Sequence, residues 1–236
     1  MISKKILNAF EKKIRYRFKN KLLITQALTH PSYFIDNKEN VANSNQFERL
    51  EFLGDRVLGL MISSMLFKKY KNLNEGDLSK KLSYLVQKKF LYKISIDLEL
   101  EKFILYKFNN KNNNKVTSIF SDSVESIIGA IYLDGGYNPS YKFINMLWSS
   151  YLSLDISEIQ DPKTLLQEIS QQKLKKLPEY KLIKRSGPPH SPIFTISLKV
   201  LNLKIIKASG NSIREAEKNA ASTAIKIINE KKIIKN

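Results

Sequence analysis

Three carboxylates recur at helical spacing in one short segment, Q-F-E-R-L-E-F-L-G-D-R-V-L. Glu48, Glu51 and Asp55 occupy positions i, i+3 and i+7, so a helix over this segment carries all three on one face. Apolar residues such as Leu50 and Val57 mark the buried side of the same helix, which places the acids at the rim of the core. Because like charges at this spacing repel each other, the grouping predicts a chemical role.

A second acidic pair, Asp122 and Glu125, lies in the segment S-D-S-V-E-S-I-I-G-A-I-Y-L-D beside another apolar stripe. If its helix packs against the first one at these positions, carboxylates from both helices converge into the oxygen-rich ligand set that Mg²⁺ prefers. Mg²⁺ held between carboxylates and a phosphodiester can lower the pKa of a water molecule, orient it for in-line attack and stabilise the departing oxygen. The spacing therefore predicts metal-assisted phosphodiester hydrolysis.

A simpler interpretation of the same acids is open at this point. They can be surface carboxylates that form ion pairs with Arg49, Arg56 or neighbouring lysines. The absence of cysteine excludes disulfides, thiolate zinc sites and cysteine nucleophiles, and the chain has only two histidines, His30 and His190. Carboxylates are therefore the main candidates for any catalysis.

The charge balance predicts a polyanionic partner. The 236 residues include 40 Lys or Arg against 22 Asp or Glu, a formal net charge of +18, and neutralising phosphates with such cations releases counterions. Only six of the basic residues are Arg, and a Lys-rich composition also arises from AT-rich codons, so charge alone does not identify nucleic acid. No apolar run approaches the ~20 residues of a membrane span, and charges interrupt the first 13 positions. We therefore expect a cytoplasmic protein without membrane contact.

Hydrophobic periodicity predicts helices throughout the first two-thirds of the chain. Apolar residues recur at i, i+3 or i+4 and i+7 spacing over residues 1–10, 21–29, 46–70, 74–88, 89–96 and 118–133. The polar segment 108–117 is expected to be a loop, and Asp134-Gly135-Gly136 to be a helix stop. These expectations define an all-α domain over residues 1–155.

The period changes after a boundary near residues 153–163, which lose the apolar pattern and contain Asp-Pro. A helix over 164–174 precedes three short strand-like segments, 180–185, 193–200 and 203–208, and an Ala-rich helix over 212–228 that Ser212 can cap. This order predicts a small α-β-β-β-α domain over residues 161–231. The two parts of the chain carry equal net charge, +9 each, although the second is about half as long.

Four motifs in the first part, taken in order, resemble the ribonuclease III family. The string E-R-L-E-F-L-G-D-R-V-L at 48–58 is similar to the family signature, and it is accompanied by L-T-H-P-S-Y at 28–33, E-G-D-L-S at 75–79 and D-S-V-E-S-I-I-G-A-I-Y-L-D-G-G-Y at 122–137. The second part resembles a double-stranded-RNA-binding domain through D-P-K-T-L-L-Q-E at 161–168, G-P-P-H-S-P-I-F at 187–194 and its last helix. The arrangement resembles that of bacterial ribonuclease III.

The resemblance implies an all-α endonuclease domain in a homodimeric, Mg²⁺-dependent endoribonuclease. Its implied reaction cleaves double-stranded RNA to products with 5′-phosphate and 3′-hydroxyl ends and short 3′ overhangs, as in the processing of ribosomal RNA precursors and other structured transcripts. The implied roles are catalytic for Asp55 and Glu125, metal-ligating for Glu51, Asp122, Glu125 and Asp55, and supporting for Glu48. Phe52 matches an exposed aromatic residue that inserts into a partner subunit, with an ordinary core position as the other interpretation.

For duplex RNA the resemblance implies recognition of shape, since A-form RNA hides its base edges and offers 2′-hydroxyls in a shallow minor groove. The matched RNA-binding residues are Gln167 and Glu168 on the first helix, Pro189 and His190 in the first loop between strands, and Arg214 and Lys218 on the last helix. The chain departs from the family pattern where Ile213-Arg214 replaces a pair of basic residues. It departs again where N-N-N-K-V-T before Asp122 replaces a Gly-Gly-Arg-like stretch.

Two other functions stay open. A protein that kept the fold and lost hydrolysis would bind duplex RNA without cutting it, yet none of the expected acids is missing here. A general polyanion-binding protein would explain the charge but not the acids at helical spacing. For His30 we expect a structural role, because Mg²⁺ prefers oxygen ligands, with metal ligation as the alternative.

Overall fold

The computed structural model describes residues 2–34, 41–107, 113–155 and 161–230. The chain divides into two compact units, Met1–Leu154 and Asp155–Asn236. The described part of the first unit is helical, and the second contains a three-stranded sheet with a helix on either side of it in the sequence. The predicted fold class is confirmed.

The helices of the first unit form around two long central segments. Its described helices are α1 Lys4–Ile14, α2 Lys21–Ala27, α3 Val41–Lys69, α4 Glu75–Val86, α5 Lys88–Asp97, α6 Asn113–Gly135 and α7 Tyr137–Trp148. Short 3-10 turns cover Pro31–Phe34, Leu100–Lys102 and Tyr151–Ser153. Helices α3 and α6 pack directly against each other and supply the centre of the core through Leu58, Met61, Ile62, Val124, Ile127, Ile128 and Ile131, all fully buried.

Helix α6 is apolar because it lies inside the unit. Among the described residues it is the one helix, over Lys115–Gly135, that has the length and composition to cross a membrane, and 67% of its most apolar window is buried within the protein. Its apolar positions contact other helices on several sides. The hydrophobicity of this segment is that of a central core helix.

Two glycines set the closeness of α3 and α6. A Cβ atom added to Gly54 would lie 1.8 Å from the backbone oxygen of Glu125, and one added to Gly129 would lie 2.1 Å from the backbone oxygen of Leu50. Only a residue without a side chain fits at either position, since real Cβ atoms do not approach oxygen so closely. The two helix backbones therefore touch within one turn of Glu51 and at Glu125 itself.

Two expectations for the region around α6 were wrong in part. Residues 113–117, expected as loop, are the first turn of α6, while residues 108–112 lie outside the described residues. The stop at Gly135 is confirmed, but Gly136, at φ 76, only redirects the chain into α7, which the sequence reasoning missed. Helix α7 buries Phe143, Ile144 and Trp148, so the periodic apolar pattern was present in the sequence.

The second unit is built in the predicted element order. It comprises α8 Pro162–Leu174, β1 Glu179–Ser186, β2 Ile193–Lys199, β3 Ile206–Gly210 and α9 Ile213–Glu230. The sheet is antiparallel in the order β1-β2-β3, with a register shift between Leu182 and Lys184. The expected third strand, 203–208, was placed three residues too early, because Leu201 takes a left-handed turn at φ 49 and the chain regains extended pairing only at Ile206.

The core of the second unit forms between α8, α9 and one face of the sheet. Small residues of α9 allow this close packing, namely Ala220, Ala221 and Ala224, and they meet Leu166, Leu198 and Ile206. The expected cap is confirmed, because the Ser212 hydroxyl accepts a hydrogen bond from the Glu215 amide at 3.1 Å. The Glu215 carboxylate in turn accepts from the Asn211 amide at 2.8 Å, so α9 begins with satisfied backbone donors.

The glycine contact gives a direct test on α3. We expect Gly54→Ala to lower the free energy of unfolding by about 3 kcal/mol or more, because the added methyl group overlaps the Glu125 backbone. Gly59→Ala on the same helix is the matched control. No atom lies within 4 Å of its added Cβ, so better helix propensity should leave stability unchanged or raised by up to about 1 kcal/mol. Urea unfolding of both variants measures the two changes in the free energy of unfolding. Equal changes would contradict the close contact between Gly54 and the Glu125 backbone.

Candidate functional site

Three carboxylates converge where α3 and α6 touch. Glu51 of α3 and Asp122 and Glu125 of α6 each offer an oxygen, and these oxygens lie within 4.8 Å of one another. The convergence follows from the glycine contact, since Glu51 lies three residues before Gly54 and Glu125 supplies the backbone oxygen that Gly54 faces. Three of the four residues predicted as metal ligands are therefore brought together.

Burial and mutual repulsion raise the pKa of two of these acids. Glu125 is 8% exposed, and burial, followed by the charges of Asp55 and Asp122, raises its pKa to about 8. Burial and the charge of Asp122 raise the pKa of Glu51 to about 7. Acids in such an arrangement resist full ionisation unless a cation joins them.

Lys88, which the sequence did not point to, is the basic residue that contacts this cluster among the described residues. The Lys88 Nζ lies 3.0 Å from Asp122 Oδ1 and 3.2 Å from the Ser118 hydroxyl, and that hydroxyl donates to Asp122 Oδ2 at 2.9 Å. Lys88 begins α5, and its backbone oxygen accepts a hydrogen bond from Ser121 of α6 at 2.8 Å. Its charge lowers the pKa of both Glu51 and Glu125. No sequence pattern links Lys88 to the acids 34 positions later.

The other two acids of the α3 series lie outside the cluster. Asp55 is half-buried and pairs with Arg56 at 2.8 Å, so the ion-pair interpretation describes this residue in the structure. Its charge still acts on Glu125, whose pKa it raises. Glu48 is exposed, and its charge raises the pKa of Glu51. Both residues border the cluster without joining the close group.

Phe52 is exposed on the single chain. Its side chain is 68% accessible, with the Arg56 guanidinium 5.7 Å from the ring centroid. The alternative of an ordinary core position is therefore wrong for this chain by itself. Leu60 and Phe67 on the same helix are 61% and 74% accessible, and helical geometry places all three within roughly 80° of one another.

The His30 side chain is held in place by local contacts with Ser32 and Phe47. Its Nδ1 accepts a hydrogen bond from the Ser32 amide at 3.1 Å and lies 2.8 Å from the Ser32 hydroxyl, while its ring packs edge-on against Phe47. Burial lowers the pKa of His30 to about 4. It is not part of the close acidic group.

The residues predicted to contact RNA lie on the surface of the second unit. Gln167 is exposed on α8 beside the half-buried Glu168, and Arg214 and Lys218 are exposed on α9. Pro189 and His190 lie in the exposed loop between β1 and β2. Each of these residues lies on the helix or loop that the sequence predicts for it.

Ion pairs join the starts of α8 and α9 near these residues. Lys163 Nζ lies 2.5 Å from Glu217 and Lys218 Nζ lies 3.6 Å from Asp161. Ile213, where the family has a basic residue, is 44% exposed in the first turn of α9. Arg214 is therefore the basic side chain of that turn, whereas Lys218 forms an ion pair with the Asp161 carboxylate.

The acidic cluster fits a hard divalent cation. Its donors are three carboxylates from two rigid helices, which is the donor chemistry that Mg²⁺ or a similar ion takes. The charge they would carry together is compensated only in part by Lys88. Glu51, Asp122 and Glu125 are the residues that would hold the ion.

Comparisons with known proteins agree with this fold. A family profile described as "Ribonuclease-III-like" matches residues 20–151, and one described as "Double-stranded RNA binding motif" matches residues 162–228. Ribonuclease 3 of Pelagibacter ubique is 42% identical over 224 residues, covering 94% of this chain and 96% of the relative. Ribonuclease 3 of Ehrlichia canis is 40% identical, covering 95% and 99%.

A solved structure gives the same result for the first unit. The nuclease domain of ribonuclease III from Campylobacter jejuni matches with a TM-score of 0.53 at 37% identity, covering 63% of this chain and 98% of that domain. The fold and the site thus define a helical nuclease joined to a double-stranded-RNA-binding motif. The chain belongs to the ribonuclease III family of double-strand-specific endoribonucleases.

The raised pKa values predict how stability depends on pH without divalent ions. From the unfolded pKa of 4.5 up to about 7 for Glu51 and about 8 for Glu125, the folded chain binds more protons at these acids than the unfolded chain does. Stability from this source therefore falls as the pH rises through that range. We expect Glu125→Gln to melt about 2–4 °C or more above the unmodified chain at pH 8, with a smaller difference at pH 5.

The control is Glu101→Gln, which removes an acid at an exposed position. Comparing variants at each pH cancels His30, whose lowered pKa acts in the opposite direction. Melting is followed by circular dichroism in EDTA. A Glu125→Gln variant that melts lower at pH 8 than at pH 5, relative to the unmodified chain, would contradict the repulsive cluster.

Proposed function

We propose that this chain is a Mg²⁺-dependent, homodimeric endoribonuclease that cleaves double-stranded RNA. The observation that carries the proposal is the group of three carboxylates, within 4.8 Å, at the contact of α3 and α6. Family membership supplies the reaction class, and the donor chemistry supports the metal. Glu51, Asp122 and Glu125 hold the ion, and Asp55 and Glu125 serve as the catalytic carboxylates.

Hydrolysis adds water across one phosphodiester bond of each strand. When bound, Mg²⁺ supplies positive charge beside the phosphate and lowers the pKa of water. Asp55, half-buried at the edge of the cluster, accepts a hydrogen bond from the attacking water and orients it. The bond between phosphorus and the 3′ oxygen breaks, so the phosphate stays on the 5′ end and the 3′ oxygen gains a proton. The products carry 5′-phosphate and 3′-hydroxyl ends with short 3′ overhangs.

The second unit holds the duplex by its shape. Gln167 with Glu168, and Pro189 with His190, meet successive minor grooves, where 2′-hydroxyls are accessible. Arg214 and Lys218 contact phosphates between them. The exposure of these side chains, with Glu168 half-buried, supports the assignment.

The exposed apolar face of α3 supports a homodimer. Phe52, Leu60 and Phe67 would leave a large apolar surface in water on a single chain. A second copy of the same face covers it, because a two-fold axis pairs identical surfaces. Phe52 is then the aromatic residue that enters the partner, one residue after the metal ligand Glu51.

The proposed substrates are ribosomal RNA precursors and other structured transcripts, met in the cytoplasm. Shape recognition tolerates many sequences, so one enzyme can process several transcripts. A duplex-binding protein without hydrolysis is the second candidate. Every acid that the family resemblance assigns is present in the sequence, which favours the nuclease over that candidate.

Glu125→Gln tests the catalytic assignment. The neutral amide keeps the shape of the side chain but removes one ligand charge, so we expect cleavage of a labelled RNA hairpin to fall at least about 100-fold in Mg²⁺. Binding of the same hairpin in EDTA should stay unchanged. A second readout is melting: Mg²⁺ should stabilise the unmodified chain more than Glu125→Gln.

Glu101→Gln is again the matched control, and it should cleave like the unmodified chain. Substantial cleavage by Glu125→Gln at ordinary Mg²⁺ concentrations would remove Glu125 from the site. Binding without cleavage by the unmodified chain would support the second candidate instead.

Recognition of the duplex is tested by comparing RNA with DNA. We expect the full chain in EDTA to prefer duplex RNA over duplex DNA of the same length and sequence, because only RNA offers 2′-hydroxyls across a shallow groove. Replacing Gln167 and His190 with Ala should weaken RNA binding about tenfold or more and leave DNA binding nearly unchanged. Arg214→Ala should weaken both, since phosphates are common to the two.

Competition titrations at fixed salt measure these affinities. Equal affinity of the unmodified chain for RNA and DNA would make the second unit a general polyanion binder. The assignment of its groove-reading residues would then be wrong.

A further inference from the structure

The second unit has another polar surface, on the face of the sheet that is turned away from α8 and α9. Ile196, Leu198 and Ile206 point into the core, so the residues that alternate with them point outward. The outward side chains, placed by the strand register, are Glu179, Lys181 and Lys184 on β1, Thr195, Ser197 and Lys199 on β2, and Lys207 and Ser209 on β3. We call the four lysines and three hydroxyl residues of this set the sheet face.

The register arranges the sheet face in rows. Lys181, Ser197 and Lys207 form one row across the three strands, and Lys184, Thr195 and Ser209 form the next. The Thr195 and Ser209 hydroxyls lie 2.9 Å apart, which confirms that these side chains share one side of the sheet. With strands about 4.8 Å apart, the rows place the lysines on one face of the sheet with neutral hydroxyl groups between them.

The charge of the sheet face is compensated only at one end, where the strand register sets Glu179 opposite Lys199. None of its four lysines forms an ion pair with a described residue, whereas Lys163 and Lys218 near α8 and α9 are paired with acids. Residues 180–214 contain no Asp or Glu at all. Glu179, at the end of β1, is the single acid whose register falls on this side.

We propose that the sheet face is a second nucleic-acid surface, which binds the phosphate backbone of another duplex segment while the opposite side of the unit reads the first. Lysines supply the charge and donate hydrogen bonds to phosphate oxygens, and the small hydroxyl residues between them leave the lysines accessible. Contacts made only to phosphates do not distinguish RNA from DNA, and such binding weakens steeply with salt. The two surfaces let one chain hold two stretches of a folded transcript.

This inference goes beyond cleavage and groove reading. Experiments can disprove it while the proposed function stands, and the reverse. Loss of the sheet face alone would leave hairpin cleavage and the RNA preference of the first surface in place. Failure of the proposed function would show as loss of cleavage while second-duplex binding persists.

The test counts duplexes bound to the full chain in EDTA. A labelled duplex of about 16 base pairs, the length that one such domain spans, is titrated at about 50 mM salt and followed by sedimentation. The test variant replaces the four lysines of the sheet face: Lys181→Gln, Lys184→Gln, Lys199→Gln and Lys207→Gln. We expect the unmodified chain to bind one more duplex per chain than this variant, for RNA and DNA alike, and the difference to vanish near 200 mM salt.

A matched control removes the same number of charges elsewhere. Lys4→Gln, Lys5→Gln, Lys12→Gln and Lys71→Gln change exposed lysines of the first unit, and this variant should bind like the unmodified chain. The variant with Lys181→Arg, Lys184→Arg, Lys199→Arg and Lys207→Arg should retain binding of the extra duplex. If the four-site Gln variant does not fold, the double variant Lys181→Gln, Lys207→Gln replaces it, and we expect it to bind the extra duplex about tenfold more weakly.

Three outcomes would overturn the proposal. The four-site variant can bind as many duplexes as the unmodified chain, or the control on the first unit can lose as much binding as the variant. Alternatively, polyglutamate can displace the extra duplex as efficiently as duplex DNA does, which would assign the face to an acidic protein.

Discussion

The close contact of α3 with α6 is the constraint on which the site depends. Backbones approach at Gly54 and Gly129 because neither residue has a side chain to separate them. Only at that closeness do Glu51 and the two acids of α6 fall within 4.8 Å. Fully buried apolar residues on both helices stabilise the contact and so offset the repulsion that the acids create.

The cost of collecting acids explains their surroundings. Lys88 and Ser118 contact Asp122, and burial with the neighbouring charges raises the pKa of Glu51 and Glu125, so the two acids ionise less readily. The acids are thus held near one another without full charge, in a geometry that a divalent cation can complete. Stability and function pull in opposite directions here, because the groups that would bind the ion destabilise the fold at neutral pH.

Sequence reasoning found what is local and missed what depends on tertiary contact. The acids of α3 and α6 were found because helical spacing shows in the sequence, and Ser212 was found because caps are local. Lys88 joins the acids only through the packing of α5 against α6, which no spacing encodes. The ion pair of Asp55 with Arg56 depends on the side-chain rotamers of the two residues, which the sequence does not determine. The sequence does not predict helix α7, because a Gly-Gly pair is typical of the end of a helix. In the structure Gly136 is also the turn that leads from α6 into α7.

Residues 1–155 and residues 156–236 each carry a net charge of +9, so the acidic cluster is a local exception on a basic chain. A carboxylate cluster attracts a cation but repels the phosphates of its substrate, so the attraction that brings RNA to the site has to come from elsewhere. Residues 180–214 supply part of it without a single acid, on a unit whose net charge density is about twice that of the first. Attraction of RNA phosphates by the basic residues of both parts of the chain thereby offsets the repulsion that the clustered acids exert on the same phosphates.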